Sequence, residues 1–213
     1  MGFQQTERVV ELNARVQAFM AKHIYPREYE WEAFTLDQDN RWQFPTWFDG
    51  LREKAREEGL WNLFLPREYE PWSPGLTNVE IATIFETMSK VSWAQPVFNC
   101  SAPDRGNMEV LAKYGTPQQQ QQWLEPLLAG EIRSAYAMTE PQVASSDATN
   151  MELEIKRDGD EYVLNGRKWW TTGAISPRCK IMLVMGRSNP ENDRHRQHST
   201  ILVPRDTPGV KLV

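Results

Sequence analysis

The segment from Ser134 to Ala174, SAYAMTEPQVASSDATNMELEIKRDGDEYVLNGRKWWTTGA, decides how the rest of the chain is read. It opens with the apolar run Ala135, Tyr136, Ala137 and Met138, then breaks at Thr139-Glu140-Pro141. Small and hydroxylated residues follow: Ala144, Ser145, Ser146, Asp147 and Thr149. The expectation is a strand running straight into a polar loop. Pro141 has no N–H and holds Glu140 extended, so the ladder stops here and the amides that follow are left to point elsewhere. Amides beside hydroxyls suit an anionic ligand such as a pyrophosphate. A hairpin comes next, with Leu153 and Ile155 alternating against Glu154 and Lys156, Asp158-Gly159-Asp160 as the turn, and Tyr162 to Leu164 returning. Asn165-Gly166 turns the chain again into a predicted strand from Lys168 to Thr172. Neighbouring strand residues face opposite sides, so only one of the two tryptophans can look toward what Tyr136–Thr139 faces; the expectation is Trp170, with Thr172 on its face and Trp169 in the other packing layer.

Upstream, the apolar period is helical. Leu12, Val16, Phe19 and Met20 form one stripe of a helix from Thr6 to about His23, which Ile24-Tyr25-Pro26 stops. The stretch to Phe44 keeps no sustained period and is read as a loop with at most a short helical turn. Pro45 opens a helix with Phe48, Leu51 and Ala55 on one face, ending at Gly59. Thr77 with Glu80 forms a capping box for a core helix carrying Ile81, Ile84, Phe85 and Met88. A further helix carries Met108, Val110, Leu111 and Tyr114. Thr116-Pro117-Gln118-Gln119 then caps a helix through Trp123, Leu124, Leu127 and Leu128, which stops at Gly130.

After Gly130 the pattern becomes β: Ser134 to Met138, Met151 to Lys156, Glu161 to Asn165, Lys168 to Thr172, Ile181 to Met185, Thr200 to Val203 and Val210 to Val213. This places an all-α helical domain at 1–131 and an incomplete, mostly antiparallel β-domain at 132–213, an α+β multidomain chain. The polar loop from Ser188 to His198 carries His195 and His198 without an acidic or cysteine partner at ligand spacing, so no metal site is expected.

Composition narrows the function. The chain has 213 residues, 40% of them hydrophobic with nine Trp, enough for a substantial core. A net charge of −5 argues against a general nucleic-acid or membrane-surface binder. Two distant cysteines, Cys100 and Cys179, suggest a reducing cytoplasm. No apolar segment has transmembrane length, the start lacks the regions of a signal peptide, and Gly2, followed by Phe3 and Gln4, is not read as a myristoylation site.

The order strand, Thr-Glu-Pro loop, hairpin, Trp-x-Thr resembles the flavin-binding middle domain of the acyl-CoA dehydrogenase family. The residues that carry the likeness are Tyr136-Ala137-Met138-Thr139-Glu140-Pro141, then Ser146-Asp147, then Gly166-Arg167-Lys168-Trp169-Trp170-Thr171-Thr172. The resemblance implies FAD held by Tyr136, Met138, Thr139, Ser145, Ser146, Trp170, Thr171 and Thr172, with Trp170 and Thr172 against the ring. It also implies that Ser146 reaches the pyrophosphate or an acyl-CoA substrate. Many members carry Gly-x-Gly-Ser after the proline. Here Gln142-Val143-Ala144-Ser145-Ser146 is one residue longer and lacks glycine, which leaves both serines as candidates. The Ser-Ser-Asp-Ala-Thr-Asn version looks like a subfamily of larger members.

The implied reaction is α,β-desaturation of a fatty acyl-CoA thioester, the α-proton going to a carboxylate and the β-hydride to the flavin. The family's C-terminal helical bundle, which holds that carboxylate, is absent from this sequence, so no catalytic residue is assigned and the base is expected beyond Val213. Glu140, by the same resemblance, braces the loop through a backbone or arginine contact. Implied partners are acyl-CoA, electron-transfer flavoprotein or a similar acceptor, and further copies of the chain in a homodimer or homotetramer. An acyl-CoA oxidase, a flavin monooxygenase, or a truncated non-catalytic module are the alternatives on the same scaffold.

Overall fold

The computed structural model describes residues 5–213. The start of the chain, where the signal and myristoylation patterns were sought, lies in part outside the described residues. Two compact units result, the first ending at Leu128 and the second running Ala129–Val213.

The first unit is helical. Helix α1 (Glu7–Phe19) begins at Thr6, whose hydroxyl accepts the amide of Val9, and it buries Val9, Val16 and Phe19. It does not give way to a loop. A π turn (Met20–Ile24) and a 3-10 turn (Tyr25–Arg27) lead directly into α2 (Glu28–Leu36). Pro26 sits in the first turn of the 3-10 segment, where its missing N–H costs nothing. No residue of α2 is fully buried. Its aromatic anchor is Trp31, stacked on Trp93 at 5.1 Å and flanked by Phe44, Trp47 and Phe48. A helix anchored in this way leaves no stripe in the sequence, which is why periodicity missed it.

The capping boxes at Thr77 and Thr116 start helices where the sequence puts them, whereas the helix expected at Pro45 begins only at Phe48, with Trp47 at its N-cap and no side-chain bond there. Helix α3 (Phe48–Glu57) buries Phe48, Leu51 and Ala55. Helix α4 (Asn78–Met88) has the full capping box: Thr77 Oγ1 accepts from Glu80, and Glu80 Oε2 accepts from Thr77 N at 2.8 Å. Thr6 donates to the other Glu80 oxygen, and Thr87 to Asn13, so α1 and α4 are tied at two levels. Helix α5 (Asp104–Tyr114) precedes a second capping box, Thr116 with Gln119, at the start of α6 (Pro117–Gln119). The helix continues through a π turn (Gln120–Leu124) into α7 (Glu125–Leu128). Its last carbonyls are closed by side chains: Trp61 Nε1 and Asn62 Nδ2 donate to Leu128 O, and Asn99 Nδ2 to Leu127 O.

The second unit is a five-stranded sheet built on β4 (Cys179–Arg187). Strand β1 (Arg133–Ala137) pairs with it in parallel, and β5 (His198–Pro204) pairs antiparallel along its whole length. The hairpin of β2 (Glu154–Asp158) and β3 (Glu161–Asn165) joins the sheet through one parallel rung, Glu154 to Arg187. Gly159 turns the hairpin at φ +60°. Ala135, Ala137, Leu153, Ile155, Cys179, Met182, Val184 and Val203 make the core. Gly186 lets the hairpin cross: a Cβ there would lie 2.6 Å from a Leu153 methyl and 2.9 Å from Ile155.

Two predicted strands are absent. Among the described residues, Lys168 to Thr172 reaches another segment of the chain by one backbone bond, Trp169 N to Thr139 O, and then Trp170 takes φ +53°, which no strand accommodates. Val210 to Val213 also forms no ladder; Val210 N closes a turn on Thr207 O instead. The parallel β1–β4 pairing was not visible in the alternation either, because β4 is buried along most of its length and reads as a continuous apolar run.

Candidate functional site

Strand β1 ends at Ala137, and the chain beyond it is shaped by one buried carboxylate. Glu140 is 5% exposed and accepts three hydrogen bonds: from the amides of Glu152 (2.7 Å) and Leu153 (2.9 Å), and from Lys168 Nζ (2.8 Å). Lys168 Nζ also donates to Met138 O at 2.8 Å, and the next residue, Trp169, sends its amide to Thr139 O at 2.8 Å. The Thr-Glu-Pro corner and the Lys-Trp-Trp segment are thus joined by three bonds through Lys168 and Trp169. The brace on Glu140 is the expected backbone contact, but its cation is a lysine, not an arginine.

Burial alone would raise the Glu140 carboxyl. The ammonium of Lys168 and the two amides outweigh that and hold it below the usual carboxylate range. Burial also works against the charge on Lys168, with the Glu140 carboxylate as its counterweight.

The two serines divide. Ser145 is 5% exposed, and its Oγ accepts from Glu140 N at 2.7 Å and donates to Val143 O at 3.3 Å. Ser146 is exposed, and among the described residues its hydroxyl makes no hydrogen bond. Nor do the amides of residues 142–146 donate to any acceptor among the described residues. Asp147 then anchors the far side of the loop. It takes the hydroxyl of Thr149 at 2.6 Å and the amide at 3.0 Å, and pairs with Arg194, whose Nε reaches the Thr149 hydroxyl. The Thr149 bonds, followed by Arg194, hold its carboxyl below the ordinary value.

The tryptophans depart from expectation. They do not occupy opposite faces of a strand; their rings lie 4.7 Å apart, Trp169 at 49% exposure and Trp170 at 72%. The left-handed turn at Trp170 is the physical reason, since it breaks the alternation that would have separated them. Trp169, Trp170 and Thr171 line a hollow of about 1040 Å³ with Ala137, Leu153, Met182 and Val184. Thr172 is exposed and lies outside it. Tyr136, next to Ala137 on β1, points to the opposite side of the sheet, its hydroxyl 3.7 Å from Met185 Sδ. Of the residues singled out in the sequence, the backbone of Met138 and Thr139 and the Trp169–Trp170 pair come together. The side chain of Tyr136 is turned away from them.

Sequence reasoning gave Lys168 no role and treated Arg194 as part of an exposed loop. The signal for the first was present, a lysine two residues before the second tryptophan and 28 after a buried-motif glutamate. Nothing local marked the second.

The fold thus defines an α+β chain in two units, with a polar loop braced by a buried ion pair at the end of a strand. The acyl-CoA dehydrogenase N-terminal domain family matches residues 6–131 and the acyl-CoA dehydrogenase middle domain family residues 135–212. The chain belongs to the acyl-CoA dehydrogenase family. It is similar to acyl-CoA dehydrogenase family member 11 of Mus musculus, 51% identical over 215 residues that take in 99% of this chain and 27% of the mouse protein. A solved chain from Mycobacterium abscessus assigned to the acyl-CoA dehydrogenases is 46% identical, with TM-score 0.90 over 97% of this chain and 52% of its own. Glutaryl-CoA dehydrogenase of Mycobacterium smegmatis, solved in complex with FADH2, shares the fold at 21% identity and TM-score 0.63, covering 96% of this chain and 47% of that one. The chain therefore spans between 27% and 52% of the length of these proteins.

Proposed function

We propose that this chain is the N-terminal and middle portion of an FAD-dependent acyl-CoA dehydrogenase that desaturates a fatty acyl-CoA between its α and β carbons. The observation that carries the reading is the joining of the two motif segments through Lys168, one of which goes on into a loop with unengaged amides and the other into an exposed indole. These groups fit a flavin dinucleotide: donors for its phosphates and ring edge, and an aromatic face for its ring. Bound FAD would supply the acceptor for the β-hydride.

The chain's own residues do the positioning. Glu140 and Lys168 fix the corner, and the backbone of Tyr136 to Thr139, with the hydroxyls of Thr139 and Thr171, orients the ring against Trp170, whereas the Tyr136 side chain and Thr172 stand away from it. Ser146 is assigned to the pyrophosphate or the acyl-CoA, while Ser145, also a sequence candidate, is engaged in holding Glu140 N. Glu140 does not serve as the base: a carboxylate that accepts three hydrogen bonds and sits below its ordinary pKa is a poor proton acceptor for a thioester α-carbon. We place the base in the part of the relatives' length that this chain does not span. The same reading carries electron-transfer flavoprotein or a similar acceptor, a homodimer or homotetramer, and a cytoplasmic setting. Among the described residues, no helix is long and apolar enough to cross a membrane.

The test is anaerobic titration of the full-length protein. We expect it to purify yellow and to lose its flavin absorbance on addition of straight-chain acyl-CoA. A protein that carries no flavin and bleaches no added FAD with any acyl-CoA would end this reading. Peroxide release during turnover in air would assign it to the oxidases instead.

A further inference from the structure

Two buried nitrogens in the second unit have no hydrogen-bond partner among the described residues: Arg187 Nε and His198 Nε2. They belong to the last rung of the β4–β5 ladder, where Arg187 and His198 are paired directly across the strands. Side chains opposite each other on an antiparallel pair stand on the same face and in reach of each other. The same rung of β4 meets β2, through Glu154, and Arg187 N donates to Leu153 O at 2.7 Å. His198 therefore stands at the junction of β4, β5 and the start of the hairpin, just after the Glu152 and Leu153 amides that Glu140 holds.

The charged groups that face His198 come from every element around it. Arg187 comes from β4, Lys168 from the segment before the tryptophans, and Glu140 and Asp147 from the loop between β1 and β2. Both carboxylates are already engaged, Glu140 with Lys168 and Asp147 with Arg194. A second proton on the imidazole would create a donor at Nε2 with no acceptor, beside two cations whose counter-charges are taken.

We propose that His198 is a pH-sensitive joint of the β4–β5–β2 junction: neutral, it leaves the junction closed, and protonated, it loosens the junction and, through Arg187 and Leu153, the amides that Glu140 holds. Its link to flavin retention rests on the function proposed above; its effect on the junction does not. Burial lowers the proton affinity of His198 from the ordinary 6.5, and Arg187 and Lys168 lower it further. An opening that hydrates the ring restores its ordinary affinity. Opening therefore becomes easier as pH falls through the ordinary value, and the effect levels off below the depressed folded-state value.

The experiment is amide hydrogen exchange on the full 213-residue chain between about pH 7.5 and about pH 5.5, with the His198 ring titrated by NMR in the same samples. Between those limits the protection of the Glu140, Glu152 and Leu153 amides should fall by about threefold to tenfold after correction for intrinsic exchange. In His198→Gln it should stay constant, and in the unmodified chain the ring should titrate below its ordinary pKa, where the loss of protection levels off. A flat protection profile, a ring that titrates at or above the ordinary value, or the same profile in His198→Gln would each overturn the proposal. FAD retention by the full-length protein, followed by fluorescence over the same range, should show the same midpoint. A protein that holds no FAD at any pH counts against the flavin reading, and the exchange result still decides the role of His198.

Discussion

Two sets of residues drawn from the same short motif behave in opposite ways. Glu140, Ser145 and Lys168 are buried and engaged with one another and with backbone. Ser146, Trp170 and Thr172 are exposed, and Trp170 holds a left-handed conformation in the open. A motif read as one binding signature is two devices in sequence register: an inner set that fixes the shape of the corner, and an outer set that the corner presents. The distinction matters because the two sets should fail differently. Damage to the inner set should be read in stability, and damage to the outer set in ligand affinity with the fold intact.

The largest effect should come from Glu140→Ala. It leaves the Lys168 ammonium without its counter-charge in a site where the two side chains are 9% and 4% exposed, and removes the acceptor of two amides. Loss of one partner of a buried pair costs about 3–5 kcal/mol, which urea unfolding followed by tryptophan fluorescence would register. A loss under about 1 kcal/mol would place the pair with surface ion pairs and dissolve the contrast. The same residue sets an acid limit. Its folded-state pKa lies below the ordinary 4.5, so its contribution is complete above that value and is lost as pH falls through the depressed one. Glu140→Gln should flatten this part of the pH–stability profile.

Gly186→Ala comes next. The added methyl would sit 2.6–2.9 Å from Leu153 and Ile155, atoms packed in the core that cannot swing away. Overpacking of this kind costs about 1–3 kcal/mol. Because the hairpin carries the amides that Glu140 holds, the variant should also raise their exchange rates. Unchanged exchange with lowered stability would separate the hairpin crossing from the corner.

The two serines give the most direct comparison. Ser145→Ala strands the amide of Glu140 and should cost about 1–2 kcal/mol of stability. Ser146→Ala removes a hydroxyl that bonds nothing among the described residues and should leave the unfolding midpoint unchanged while weakening flavin or acyl-CoA binding in the full-length protein. The reverse pattern, a stable Ser145→Ala with poor binding, would exchange their assignments.

How far the sequence foretold all this depends on the kind of signal. Caps and turns are local chemistry, and Thr77 with Glu80, Thr116 with Gln119, and the turn at Gly159 stand where they were read. Helix α2 was missed because one packed indole leaves no period. The strand expected at Lys168 to Thr172 failed for the opposite reason. Alternating residues promised a ladder, but after Trp169 the chain has no partner strand beside it and turns through Trp170. The inner set of the corner was only half legible. Glu140 could be read as a brace because the resemblance supplied that role, whereas its lysine partner and the inward turn of Ser145 depend on contacts that spacing does not encode.

The smallest expected effect is also the one that separates strain from contact at Trp170. A non-glycine residue at φ +53° is strained by about 1–2 kcal/mol, and at 72% exposure the indole recovers little of that by burial. Trp170→Ala should keep the strain and lose the indole, changing stability by no more than about 0.5 kcal/mol. Trp170→Gly should relieve the strain, but glycine also enlarges the unfolded ensemble by about 0.4–1 kcal/mol, so it should exceed Trp170→Ala by only about 0.5 kcal/mol. If the ring serves as a face for the flavin, both variants should weaken FAD binding alike despite their different stabilities. A glycine variant that binds as tightly as the parent would mean the exposed ring contributes nothing to the ligand, and the left-handed turn alone would be what the outer set supplies.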